Sequence, residues 1–120
     1  MKELLETYYK RFAAKANWDS VIADDFQYVG GDMTKIEPVT GKQAYIEVIN
    51  RFSKVYQTMW VKKMIIQGEN ACVIGNYDLK FPNEKTINGD IAEIWTAIGG
   101  KLQSLRIYFD TLTFAQNSKM

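Results

Sequence analysis

At 120 residues and 13.8 kDa the chain is too short to support two separate cores, so it is expected to fold as one domain. Apolar residues at 47% and charged residues at 24% exclude a collagen, a coiled coil or a disordered tail. Fifteen Lys and Arg against fourteen Asp and Glu leave a formal charge of +1, so no net field draws in nucleic acid or an anionic membrane.

The opening helix is marked by Leu4, Leu5, Tyr8, Phe12 and Ala16, recurring at three-to-four spacing, and is expected to end near Asn17. Asn17 then reads as the N-cap of a short second helix through Trp18, Val21 and Ile22. A short strand is expected over residues 26–29. Thr40 followed by Gln43 has the capping-box pattern, and Tyr45, Val48, Ile49, Phe52 and Tyr56 form one apolar face of a third helix. Between Met59 and Thr113 four apolar runs are separated by Gly68-Glu69-Asn70, Pro82-Asn83-Glu84-Lys85 and Gly99-Gly100. That is an antiparallel meander, and the Gly-Gly pair suits a two-residue hairpin because both positions can take positive φ. The layout is α+β.

A two-residue loop at Gly99-Gly100 places Ala92 opposite Ile107, Ile94 opposite Leu105, Asp90 opposite Phe109 and Glu93 opposite Arg106. A four-residue loop over residues 82–85 extends the face of Ala92, Ile94, Leu105, Ile107 and Phe109 to Val73, Gly75 and Tyr77. The other face carries Ile74, Ile91, Trp95 and Tyr108 beside Asp78, Glu93 and Arg106. Neither face is cleanly polar, so the helices are expected to cover one and a second copy of the chain part of the other.

Two scarcities narrow the chemistry. With no histidine there is no imidazole base, nucleophile partner or metal ligand, and the single cysteine, Cys72, makes neither an internal disulfide nor a zinc site alone. Catalysis would fall to carboxylates, tyrosines, lysines or ordered water. An oxygen-only metal site stays open, but no Asp/Asn loop has calcium-ligand spacing, and no metal is expected. No apolar run approaches the roughly eighteen residues of a membrane span, and the start MKELLETYYK lacks a secretory apolar stretch, so a cytoplasmic protein is expected.

The long first helix, a short helix running into Ile22-Ala23-Asp24-Asp25-Phe26 and a third helix led by Gly41 resemble the nuclear transport factor 2-like superfamily. The closing strand from Gly100-Lys101-Leu102 out through Tyr108-Phe109-Asp110 fits the same pattern. Within the superfamily the chain looks most like the SnoaL-like and ketosteroid-isomerase-like groups, over residues 1–120 as a single SnoaL-like domain. The resemblance implies a cone: a curved antiparallel sheet wrapped around the helices, cystatin-like, with an apolar pocket and often a homodimer. It implies the activity less sharply, because this fold hosts isomerases, cyclases, hydrolases and non-catalytic binders.

Ketosteroid isomerases use an Asp base after the first short strand, a Tyr on the first helix and a protonated Asp on a later strand. Here the base position falls on Gly30 counting forward from Asp25, or on Asp32 counting back from Gly41. The tyrosine position falls on Lys10, beside Tyr9, and the strand acid on Ala92, two residues after Asp90. Limonene-epoxide hydrolases resemble the chain at Arg106-Ile107-Tyr108-Phe109-Asp110, yet their catalytic Asp falls on Ile107 and their Arg/Asp pair on Asn76 and Asp78. Only Tyr28, at the position of a water-holding tyrosine, survives, and that activity is not expected. For SnoaL-type cyclases, Asp110 is the counterpart of an Asp near the last strand.

Asp32, Asp90 and Tyr9 are therefore the candidate catalytic residues. Asp32 is either a solvated loop carboxylate or a pocket base whose pKa burial raises. Asp90 is either a strand-end residue in water or a proton donor among apolar neighbours. Tyr9 is a partly exposed helix residue, or its hydroxyl binds a carbonyl or oxyanion. Glu93 opposite Arg106 reads as a cross-strand ion pair, and Asp110 as bonding amides of the following turn. Candidate ligand-binding residues are Trp18, Phe26, Tyr28, Tyr77, Ile107 and Phe109. The expected function is binding of a small apolar, carbonyl-bearing molecule, with proton transfer next to the carbonyl if there is turnover; no cofactor is required for that chemistry. The alternative is a non-catalytic dimerisation or docking domain of the same fold.

Overall fold

The computed structural model describes residues 1–30 and 37–118. Helix α1, Lys2–Ala13, packs Leu5, Tyr8, Tyr9 and Phe12 inward. It ends before Asn17 because Lys15 takes φ 59°, donating its N–H to Phe12, while Ala16 donates to Arg11. These two bonds satisfy the last carbonyls and close the helix. A single 3-10 turn, Trp18–Val21, follows. Asn17 occupies the expected N-cap position of this turn, at φ 58° and without a side-chain cap hydrogen bond.

Strand β1, Ile22–Val29, is longer than the expected residues 26–29, and β2 is the pair Val39–Thr40. Thr40 is held opposite Gln27 in the sheet, and Gly41 at φ 106° takes the N-cap of α2, Lys42–Phe52. The expected capping box at Thr40 is thus pre-empted by strand pairing, while Gly41 donates its N–H to Phe26 at 2.7 Å.

Strands β3 (Tyr56–Gln67), β4 (Asn70–Lys80), β5 (Thr86–Ile98) and β6 (Lys101–Tyr108) form the expected meander. The six-stranded sheet has the order β2-β1-β6-β5-β4-β3. It is mixed rather than wholly antiparallel, because β1 runs parallel to β6. Helix α3, Thr111–Ser118, follows the last strand. Asp110 caps it, accepting from the Thr113 N–H at 3.0 Å and from its hydroxyl at 2.7 Å, as the reading of that residue anticipated.

The register differs from expectation at both ends of β5. Lys80 pairs with Thr86, so the connection covers residues 81–85 and is one residue longer than the expected loop. On the other side Ala97 pairs with Leu102 but Thr96 with Ser104, so Gln103 is an extra residue in β6. Such a bulge bends the sheet, and Gln103 uses its freedom to donate to the Asp25 carboxylate at 2.9 Å. Each one-residue slip exchanges faces, so β5 is turned over relative to its neighbours. Val73, Tyr77 and Leu105 share a face as expected, and it is the buried one, but they are joined there by Glu93, Trp95 and Ala97 instead of Ala92 and Ile94. Trp95, Tyr8, Tyr45 and Phe26 are the largest fully buried side chains and form the aromatic centre of the core.

Candidate functional site

Helices α1 and α2 do not fill the concave side of the sheet. A cavity of about 790 Å³ remains, within the range of small-molecule sites. Phe12, Ile49, Phe52, Leu79, Ile91 and Ile107 supply much of its apolar wall. Phe81, Phe109 and Phe114 make edge-to-face contacts where α3 borders it.

One acid faces this wall from deep within the sheet. Glu93 is only 5% exposed, and it lines the cavity. It pairs with Ile107 rather than Arg106, so the expected cross-strand ion pair does not form; slippage at the Gln103 bulge put the carboxylate on the inner face. Among the described residues no cation pairs with it. Burial pushes its pKa up from 4.5 to about 7, against the pull of hydrogen bonds from Tyr77 and Tyr9 that favour the anion. Tyr77 donates its hydroxyl to Oε1 at 2.9 Å. Tyr9 is held from behind, its oxygen accepting the Trp95 Nε1–H at 2.8 Å, which leaves its own hydrogen for Glu93.

Room for this carboxylate comes from a glycine. A Cβ on Gly75 would stand 3.1 Å from Glu93 Oε1 and 2.8 Å from a Tyr77 ring carbon. A second polar group lies on the helical side, where the Tyr8 and Tyr45 hydroxyls meet at 2.7 Å, fully buried. Two hydroxyls have two hydrogens and their mutual bond uses one, so the pair retains one donor. Both tyrosines line the cavity, as does Tyr28, whose pKa burial pushes up to about 12. All three feel the charge of Glu93.

The candidate residues separate clearly. Tyr28, Tyr77, Ile107 and Phe109 border the cavity, whereas Trp18 and Phe26 are packed behind it against Tyr45. Tyr9 is buried rather than partly exposed and reaches the site through Glu93. Asp90 is a correction. Asp90 itself borders the cavity, but its carboxylate turns to the outer face, 44% exposed, accepting from Asn76 at 2.9 Å and Lys62 at 2.9 Å. Those donors hold its pKa below the usual value, the opposite of a neutral acid in an apolar pocket. Asp32 lies outside the described residues. Glu93 is the residue that sequence reasoning missed. Its signal was present in β5, where Ile87, Ile91, Glu93, Trp95 and Ala97 share one parity.

Among the described residues no three or more acidic or cysteine side chains converge as a metal site, and no helix is long and apolar enough to cross a membrane. No family model matches the sequence, and no curated protein matches it either. Solved structures do match. An NTF2-like protein of unknown function from Burkholderia pseudomallei superimposes with a TM-score of 0.87 at 16% identity, covering 99% of this chain and 97% of that one. The chain has the nuclear transport factor 2-like fold. Among other structures of this fold, TerC, co-crystallised with polyporic acid, gives a TM-score of 0.85 at 21% identity, with coverage of 99% and 98%. A candidate SnoaL-like polyketide cyclase from Jannaschia sp. gives 0.84 at 14% identity, with coverage of 99% and 94%. The nuclear transport factor 2-like cone thus accounts for the position of the cavity, between the first helices and the concave sheet.

Proposed function

We propose that this chain binds a small, largely apolar, carbonyl-bearing molecule in the cone, in the cytoplasm, and that Glu93 transfers a proton next to the carbonyl. The observation that carries the reading is a buried carboxyl on the cavity wall, without a cation among the described residues and with a pKa of about 7. Such a group is present in both forms near neutrality, which suits a general acid–base. In the step, the Glu93 carboxylate takes a proton from the carbon beside the carbonyl and the electron pair moves to the oxygen. The unspent hydroxyl hydrogen of the Tyr8–Tyr45 pair supports that oxygen. The protonated carboxyl then returns the proton to carbon at a conjugated position, giving isomerisation, or first swaps it with solvent and returns a solvent-derived one, giving exchange, in either case without a cofactor. Tyr77 and Tyr9 orient the carboxylate.

Neighbours that bear the names of a polyketide cyclase and an isomerase, and one crystallised with an organic acid, agree with this reading. A cavity that the chain's own side chains do not plug favours it over a purely docking role. The exposed outer-face residues Trp60, Ile65, Ile94 and Tyr108 support a homodimer as a companion property. The test is deuterium exchange in D2O at the carbon beside the carbonyl of 2-acetylnaphthalene, followed by NMR. The native chain should catalyse it, and Glu93→Gln should lower the rate at least about a hundredfold. Exchange that survives the substitution would remove Glu93 from the mechanism.

A further inference from the structure

The charged groups around the cavity are not equivalent. Asp90 is engaged by Lys62 and Asn76 on the outer face, and Asp110 is consumed in capping α3. Arg51, exposed in the last turn of α2, is the one basic side chain among the described residues that border the cavity. It makes no ion pair with a described residue. The wall that it shares includes the apolar Phe52, Val55 and Phe81. From this arrangement we infer that the cavity takes an apolar molecule that also carries one acidic group, with the anion at Arg51 and the apolar body inside. This deepens the proposed function and rests on it. A guanidinium with no ion pair among the described residues favours a carboxylate through charge-assisted hydrogen bonds, and no other basic side chain among the described residues borders the cavity.

The experiment compares two probes of similar shape, 2-naphthoate and neutral 2-acetylnaphthalene, by calorimetric titration at pH 6 and low salt. The native chain should bind 2-naphthoate more tightly. Arg51→Gln should weaken 2-naphthoate about five- to tenfold and leave 2-acetylnaphthalene within about twofold. Lys54→Gln, which removes the same charge from a position that does not border the cavity, should change neither. Equal loss for both probes would reduce Arg51 to a structural role at the end of α2 and overturn the inference. Binding of the ketone with no preference for the acid would overturn it while sparing the cavity reading. Binding of neither probe would overturn both.

Discussion

Replacing Glu93 by Gln should stabilise the protein above neutral pH. In the unfolded chain the carboxyl titrates near 4.5, and in the fold near 7. Between those values the folded state binds the proton more tightly, so native stability falls as pH rises through the window and levels off above about pH 7. The shift corresponds to about 3 kcal/mol, because each pKa unit is worth about 1.4 kcal/mol. Gln retains an oxygen for Tyr77 and Tyr9 and carries no charge at any pH. The difference in unfolding free energy between variant and native chain should therefore be near zero at pH 4.5 and reach about 3 kcal/mol by pH 8, a Tm gain of ~10 °C at this length. Exposed Asp90 and Asp110, whose pKa values are lowered, work in the opposite direction at more acidic pH, and their contributions cancel in the difference. Urea unfolding followed by tryptophan fluorescence at half-unit pH intervals reads this directly. A difference that stays constant from pH 4.5 to 8 would refute the reasoning, because a carboxyl that titrates alike in both states has no linkage.

Gly75→Ala should lower stability by about 1–3 kcal/mol and weaken the Tyr77–Glu93 bond, because its Cβ would meet Tyr77 at 2.8 Å and Glu93 at 3.1 Å; urea unfolding and the proton-exchange rate check both effects. For the proposed homodimer, light scattering after size exclusion should give twice the chain mass, and Trp60→Glu, at a position 58% exposed on the outer face, should return a monomer with unchanged folding. A native monomer at high concentration would end that proposal.

Much of the fold was legible because its signals are local. Helical spacing along Leu5, Tyr8 and Phe12, and glycines at the Gly68 and Gly99-Gly100 turns, specify elements without reference to distant partners. Register is different, since it depends on connections that the sequence does not count unambiguously. A fifth residue in the loop after Lys80 and the extra Gln103 in β6 each shift the ladder by one. The two slips compensate, so β4 and β6 keep their expected faces and only β5 reverses. That reversal moved Asp90 out to Lys62 and brought Glu93 in to Tyr77. Period-two patterning alone favoured the observed face, since Trp95 and Ile91 share Glu93's parity, but pairing by loop length overrode it. Helix α3 was not anticipated because its sequence carries little apolar periodicity; its start depends on the Asp110 cap and its placement on Phe114 meeting Phe81 and Phe109.

Carboxyl 13C titration of Glu93 by NMR, with and without 2-acetylnaphthalene, is the most direct measure of whether the cone holds a proton-transfer group. The expected midpoint is about 7 in the free protein, displaced when the ketone occupies the cavity. A midpoint near 4.5 that ignores the ketone would contradict it.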